Sequence, residues 1–210
     1  MRKIHAAKQF YVLDGFVNDF AELCQDTSQL YSKLIFFQSK TERKCKMHKR
    51  RIDLLSSLCE EISEEHYLSL VRQLLFELGE CYAQLLELKL EEKSDRNATK
   101  INRLANNGIK TFERFLQTMN DKKSGKTPET YADEYLRPVL LAHFYLARLH
   151  SKCIDDRLQH FESSLNEYQT IVNYVDRHPE ARSAIEQELN ICKEMTDLLP
   201  LKIDQLRQKL

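Results

Sequence analysis

The segment Arg43-Lys-Cys-Lys-Met-His-Lys-Arg-Arg51, followed directly by Ile52-Asp-Leu-Leu-Ser-Ser-Leu58, decides how this chain folds. Six of the nine residues in its first part are basic. At about 100° per residue, an α-helix gathers the apolar side chains of this segment on one side. That side contains Met47, His48, Ile52, Leu54, Leu55, Leu58, Cys59 and Ile62, with Lys44 and Arg51 among them. The pattern therefore predicts a helix that carries cations on its buried face.

The basic residues of this helix fall into two groups with different expected roles. Lys44 and Arg51 face the core, where an unpaired charge is very costly, so they are expected to pair with carboxylates or carbonyls of neighbouring helices. The other group points away from the core and consists of Arg43, Lys46, Lys49 and Arg50. A solvated helix face and direct contact with a partner both explain the outward group.

The composition of the chain indicates an all-α protein. Its 210 residues are enough for one domain, which we expect to span residues 1–210. Four Gly and four Pro are too few for the many tight turns of an all-β chain, whereas Leu, Glu, Lys and Gln are abundant. The six cysteines lie far apart inside helical patterns, which favours reduced thiols over disulfides.

Charge and hydropathy exclude several classes of partner. Lys and Arg total 32 and Asp and Glu total 32, so no net charge draws the chain to nucleic acid or anionic lipid. The basic segment also lacks the interleaved aromatic residues that stack on bases. No apolar run approaches the roughly 20 residues that span a bilayer, and the N-terminus has no signal-peptide core. We therefore expect a soluble intracellular protein with no membrane insertion.

Apolar periodicity predicts seven helices. They are expected at about 3–38, at about 41–61, from a Ser63 cap to a polar break at Lys93–Asn97, from a cap at Asp95 within that break to about Asn120, from a Thr127-Pro128-Glu129 start to about 153, from about 158 to a stop at His178-Pro179, and from about 185 onward. A bend is expected in the first helix at Gly15 or at Asp26–Ser28. Pro200 is expected to kink or split the last helix.

Two degenerate tetratricopeptide patterns indicate stacked helical hairpins. In the first, Leu75, Leu78, Gly79 and Tyr82 mark one helix and Gly108, Phe112 and Phe115 mark the other. In the second, His143, Leu146, Ala147 and His150 mark one helix and Ser164, Tyr168 and Ile171 mark the other. The predicted fold is an all-α, right-handed α-solenoid of such hairpins, with the last amphipathic helix as a cap.

Lys44-Cys-Lys-Met-His-Lys-Arg-Arg-Ile-Asp53 resembles the corresponding segment of the KIF-binding protein family, whose members are adaptors for kinesin motors. Other segments share the resemblance: Tyr11-Val-Leu-Asp-Gly15, Phe36-Phe37, Leu136-Arg-Pro138, Ala147-Arg-Leu149, His178-Pro-Glu-Ala181, Lys193-Glu-Met195 and Leu198-Leu-Pro200. The resemblance implies the C-terminal third of a longer, non-enzymatic adaptor that binds kinesin motor domains. It further implies that the adaptor inhibits their attachment to microtubules and regulates axonal and organelle transport.

The resemblance also implies a cytoplasmic, cytoskeleton-associated location and contact with an N-terminal part of the same adaptor. Without that part, apolar residues that normally pack against the preceding hairpin are expected to be exposed. These residues are Ile4, Phe10, Tyr11 and Leu13. We therefore expect the isolated fragment to self-associate through this face.

Three groups of residues are candidates for partner binding. If the first helix of each hairpin lines the inner groove, then Gln73, Phe76, Glu80, Gln84 and Glu87 face inward, together with Phe144, Arg148 and Lys152. An acidic stripe of Glu77, Glu80, Glu87 and Glu91 would complement the basic track-binding face of a motor. The third group is Lys46, Lys49 and Arg50. The alternative for the groove residues is a different register of the repeats, in which they do not face inward. The alternative for the acidic stripe is a surface that only faces water.

The main rival is a general tetratricopeptide-type peptide-binding scaffold. Receptors for chaperone tails carry Lys and Asn where this chain has Phe76 and Glu80, so an anionic peptide terminus would meet a carboxylate. No Gly-rich phosphate loop, nucleophile elbow or His-Glu-x-x-His helix occurs, so we predict no catalytic residues and no cofactor. Cys45 with His48, and His150 with Cys153, are pairs of potential metal ligands, but buried structural residues are the favoured interpretation and no metal site is predicted.

Overall fold

The computed structural model describes residues 11, 13–91, 98–121 and 124–209. These residues form seven α-helices and one 3-10 helix, and they contain no strand. The α-helices are α1 (Val17–Phe37), α2 (Thr41–Glu61), α3 (Leu68–Glu91), α4 (Ala98–Gln117), α5 (Asp133–Lys152), α6 (Arg157–Arg177) and α7 (Glu186–Arg207). The 3-10 helix, Pro179–Ala184, joins α6 to α7. The all-α prediction is confirmed.

The chain divides into two compact units, and the first, Met1–Arg96, contains α1 to α3. In this unit α1 packs on α2, and α2 packs on α3. The face that α1 buries is made of small residues, including Ala21, Cys24 and Ser28, whereas α2 and α3 contribute fully buried leucines such as Leu55 and Leu74. Small side chains on one helix allow close approach of its neighbour, so the unit has a tightly packed core.

The second unit, Asn97–Leu210, contains α4 to α7. Each helix packs on the next along the chain: α4 on α5, α5 on α6, and α6 on α7. The buried Ser164 donates its hydroxyl to the carbonyl oxygen of Ala147 at 2.8 Å, and the rings of Phe144 and Tyr168 lie 6.1 Å apart. Packing between consecutive helices is the arrangement of a helical-repeat protein, so each unit confirms the predicted fold class.

The second predicted repeat is confirmed, whereas the first stays a prediction. The second is a packed hairpin, since its helices are α5 and α6, which meet where Ser164 contacts Ala147. The helices of the first are α3 and α4, which belong to different units. Within those units, α3 packs on α2 and α4 packs on α5.

The break expected at Gly15 is confirmed, because a turn spans Leu13–Gly15 and Gly15 has a φ of +90°, which favours glycine. Several other predictions about the helices were wrong. Asp26–Ser28 lies inside an unbroken α1. The third helix begins at Leu68 instead of at Ser63, and the fifth begins at Asp133 instead of near Thr127. Pro200 lies inside α7 without splitting it.

The prediction of one domain over residues 1–210 stays a prediction beside this division into two units. The first turns of the expected first helix, and the expected cap at Asp95, lie outside the described residues. Among the helices that the structure describes, none is long and apolar enough to cross a membrane.

Candidate partner-binding surface

Arg51 of α2 joins the three helices of the first unit. Its side chain is only 5% exposed. Its Nε donates to Ser28 Oγ of α1 at 2.9 Å, its Nη1 donates to Gln84 Oε1 of α3 at 3.1 Å, and its Nη2 lies 3.4 Å from Glu77 Oε1. Ser28 also donates its hydroxyl to the same oxygen of Glu77 at 2.5 Å. The predicted pairing of an inward cation with an acid of a neighbouring helix is therefore confirmed for Arg51.

His48 lies one turn before Arg51 and is also buried. Burial, together with the charges of Arg51 and Lys44, lowers the pKa of His48 to about 4. Its Nδ1 has no hydrogen-bond partner among the described residues. His48 is thus neutral at pH 7, and the positive charge of this helix comes from its Lys and Arg side chains.

The outward basic group of α2 lies on the surface as predicted. Arg43, Lys46, Lys49 and Arg50 are all exposed. The Nζ of Lys46 lies 2.5 Å from Glu42 Oε1, a surface ion pair of small energetic value. The guanidinium carbon of Arg50 lies 5.9 Å from the ring centroid of Tyr31 on α1. These cations are therefore exposed to solvent, in contrast to the buried Arg51.

The acidic stripe of α3 is not one uniform surface. Glu77 is 16% exposed and is held by Arg51 and Ser28, so it belongs to the interior network. Glu80 and Glu87 are partly exposed, and Glu91 is exposed. The part of the stripe that a partner can reach therefore consists of Glu80, Glu87 and Glu91.

The predicted groove residues of α3 are all at least partly accessible. Gln73 and Gln84 are exposed, and Phe76, Glu80 and Glu87 are half-buried. The Gln84 amide is also held by Arg51, so its position is fixed by the core of the unit. Whether this face binds a partner stays a prediction.

The groove residues predicted from the second repeat lie on α5 in the other unit. Phe144 is buried among α5 and α6 side chains, so its predicted groove position is wrong: it is a core residue. Arg148 is exposed, with its guanidinium carbon 5.9 Å from the Phe144 ring centroid, and Lys152 is partly exposed. Arg148 and Lys152 therefore stay candidates, whereas Phe144 does not.

The predicted Cys/His pairs do not gather further metal ligands. Within the described residues, no group of three or more His, Cys, Asp or Glu side chains could hold a metal ion. His150 Nδ1 lies 2.9 Å from His160 Nδ1, and the Sγ of Cys153 lies 3.6 Å from the carbonyl oxygen of Leu149. Burial raises the pKa of the Cys153 thiol to about 11, which disfavours the thiolate that a metal requires.

Two surface features went unrecognised as candidates in the sequence. Phe36 and Phe37, at the end of α1, are 82% and 81% exposed. His143 Nδ1 lies 2.6 Å from Glu167 Oε2, which links α5 to α6. The motif Phe36-Phe37 was visible in the sequence, but the exposure of its two rings was not.

The family described as "KIF-1 binding protein C terminal" matches residues 1–206. KIF-binding protein of Danio rerio is 41% identical over 214 residues, which cover 97% of this chain and 34% of the relative. The chain belongs to the KIF-binding protein family. The Homo sapiens member is 38% identical over 99% of this chain and 35% of its own length, and the Drosophila melanogaster member is 26% identical over 97% and 36%. The chain thus spans about a third of the length of these family members.

Proposed function

We propose that this chain is part of a non-enzymatic adaptor that binds kinesin motor domains and keeps them off microtubules. The observation that supports it is membership of the KIF-binding protein family across residues 1–206. The relatives' name refers to binding of KIF proteins, and the helical-repeat packing of each unit suits a rigid binding surface. Catalysis is not part of this proposal.

The mechanism we propose is occlusion of the motor's track-binding face. Tubulin is acidic, so that face is basic, and the reachable carboxylates of α3 are complementary to it. Gln73 and Phe76 on the same helix offer hydrogen-bonding and apolar contacts, and Phe76 lies one turn before Glu80. Charge complementarity would accelerate encounter and set orientation, while the packed helices fix the surface.

A microtubule co-sedimentation assay tests this function. A kinesin motor domain is incubated with microtubules and a non-hydrolysable nucleotide, with and without this chain. We expect the chain to move motor from pellet to supernatant in a saturable manner. Motor that stays in the pellet at every concentration, although the chain is folded by circular dichroism, would contradict the proposal.

A matched pair of charge reversals tests the α3 surface. Glu80→Lys with Glu87→Lys should weaken motor binding about tenfold, because each reversal replaces attraction by repulsion. Glu60→Lys with Glu65→Lys changes the charge equally at exposed positions outside this face and should leave binding unchanged. Equal losses in both variants would indicate that only net charge matters.

A general peptide-binding scaffold is the competing function. It would bind short linear peptides of the motor, whereas an occluding adaptor requires the folded motor domain. Comparing the intact domain with its overlapping peptides in the same pull-down separates the two. Binding of the peptides at the affinity of the whole domain would favour the scaffold.

The cellular role and other contacts of the chain are part of the same proposal. We place it in the cytoplasm, associated with the cytoskeleton, in regulation of axonal and organelle transport. Contact with an N-terminal part of the adaptor is also proposed, with the exposed Phe36 and Phe37 as the side chains that it would cover. Self-association through the N-terminal face stays a prediction: Ile4 and Phe10 lie outside the described residues, and Tyr11 and Leu13 are partly exposed.

A further inference from the structure

Helix α7 has an apolar stripe on the side that faces away from its own core. Its core face buries Leu189, Cys192, Leu199 and Ile203. Ile191, Leu198 and Leu201, in contrast, are 45%, 48% and 61% exposed. Their spacings of seven and three residues place them on one face of the helix. This stripe belongs to the second unit, whereas the α3 surface and the N-terminal face belong to the first.

Two opposite charges flank the centre of this stripe at equal distances. Glu194 lies four residues before Leu198, and Lys202 lies four residues after it. Both side chains are exposed, and among the described residues neither has an ion-pair partner. They are about 12 Å apart along the helix, too far to pair with each other. A partner that lies along this face and pairs with both side chains must supply a cation opposite Glu194 and an anion opposite Lys202.

A second copy of α7 in antiparallel orientation supplies those charges. With Leu198 on a two-fold axis, Glu194 of one copy lies opposite Lys202 of the other, and the same pair recurs on the other side of the axis. The exposed Leu198 side chains of the two copies then meet on the axis. A parallel pairing would place Glu194 against Glu194 and Lys202 against Lys202. We propose that two copies of this chain associate through antiparallel α7 helices centred on Leu198.

The structure holds α7 in a position that presents this stripe. Arg207, near its C-terminal end, lies 2.7 Å from Glu162 Oε1 of α6, which fixes the helix on its neighbour. Pro200 lacks a backbone N–H, but it lies roughly 200° around the helix from Leu198 and so stays off the stripe. Because the stripe contains few large side chains, the dimer is weak and reversible.

Sedimentation velocity of the full chain over a concentration series tests the proposal by a charge swap. The wild type should show a concentration-dependent dimer. In either single variant, Glu194→Lys or Lys202→Glu, both of the charge pairs between the two copies would consist of like charges. Each single variant should therefore weaken dimerisation about tenfold. The double variant restores opposite charges with the order exchanged, and should dimerise within about threefold of the wild type.

Leu198→Gln should also abolish the dimer, because it removes the contact on the axis. The three residues that are changed are exposed, so the circular dichroism spectrum and the thermal midpoint of every variant should stay at wild-type values. A monomeric wild type, a dimer that neither single reversal weakens, or a double variant as weak as the singles would each overturn the proposal. Association that persists in Leu198→Gln would assign self-association to another face.

Discussion

Arg51 shows how one buried charge can determine the arrangement of three helices. Removing a guanidinium from water is costly, and only good hydrogen-bond geometry offsets that cost. Ser28, Glu77 and Gln84 supply acceptors from α1 and α3 around it, and these acceptors lie at fixed positions on their helices. A shift of either helix along α2 by one turn would remove an acceptor. We infer that Arg51 specifies the register of the first unit in addition to contributing to its stability.

Substitution of Arg51 tests this role. Arg51→Met should lower the free energy of unfolding by about 3 kcal/mol, because Glu77 would remain largely buried without its cation. Arg51→Met with Glu77→Leu should recover most of that loss, since no uncompensated charge remains. Urea unfolding followed by circular dichroism measures both. The control is Arg50→Met at the exposed neighbouring position, with an expected change below about 0.5 kcal/mol. If Arg51→Met with Glu77→Leu were as unstable as Arg51→Met alone, the explanation would be contradicted.

Helices were predictable from sequence wherever a long apolar stripe dominated. The helix predicted at about 41–61 corresponds to α2, and His178-Pro179 ends α6 as expected. In both helices apolar residues recur on one face over several turns, so the periodic pattern is long enough to identify the helix. The inward position of Arg51 followed from the same periodicity. Its partners could not be predicted, because the pairing depends on the register between helices that are distant in sequence.

Helix starts were less predictable because tertiary contacts compete with local signals. Thr127-Pro128-Glu129 is a strong start signal, yet α5 begins at Asp133. Before it, the backbone N–H of Tyr131 donates to the hydroxyl of Tyr174 on α6, and the two rings lie 5.6 Å apart. This packing holds the chain outside the helix for several residues.

For the candidate site, Phe144 was misassigned because repeat spacing gives a helix face without showing which neighbour covers it.

The α5–α6 hairpin provides a prediction about how these elements approach each other. Ser164 is fully buried and donates its hydroxyl to Ala147 at the crossing of the two helices. Ser164→Val adds volume there and removes the hydrogen bond, so it should lower the free energy of unfolding by about 2 kcal/mol. Ser163→Val, on the partly exposed neighbouring position, should change it by less than about 0.5 kcal/mol. Thermal and urea unfolding measure both, and equal effects would show that the crossing is not tightly packed.

The whole chain has no net charge, so its electrostatic behaviour depends on where individual groups lie. Each unit has its own buried core, and each contains a histidine that is difficult to protonate. Burial, with Arg51 and Lys44, lowers the pKa of His48 to about 4 in the first unit. In the second unit, burial and the adjacent His160 lower the pKa of His150 to about 4. Acid should therefore destabilise both units through separate groups.

Native-state hydrogen exchange at pH 7 and pH 5 tests this behaviour. Between pH 6.5 and about 4 the unfolded chain binds protons at these histidines while the folded chain does not, so stability falls as the pH falls, by up to roughly 1.4 kcal/mol per pH unit for each histidine. His48→Gln should flatten this dependence for amides of α1 to α3 only, because His48 is buried within the first unit, and His150→Gln should do so for α4 to α7 only. If His48→Gln changed the pH dependence of all seven helices equally, residues 1–210 would unfold as the single domain that the sequence predicted.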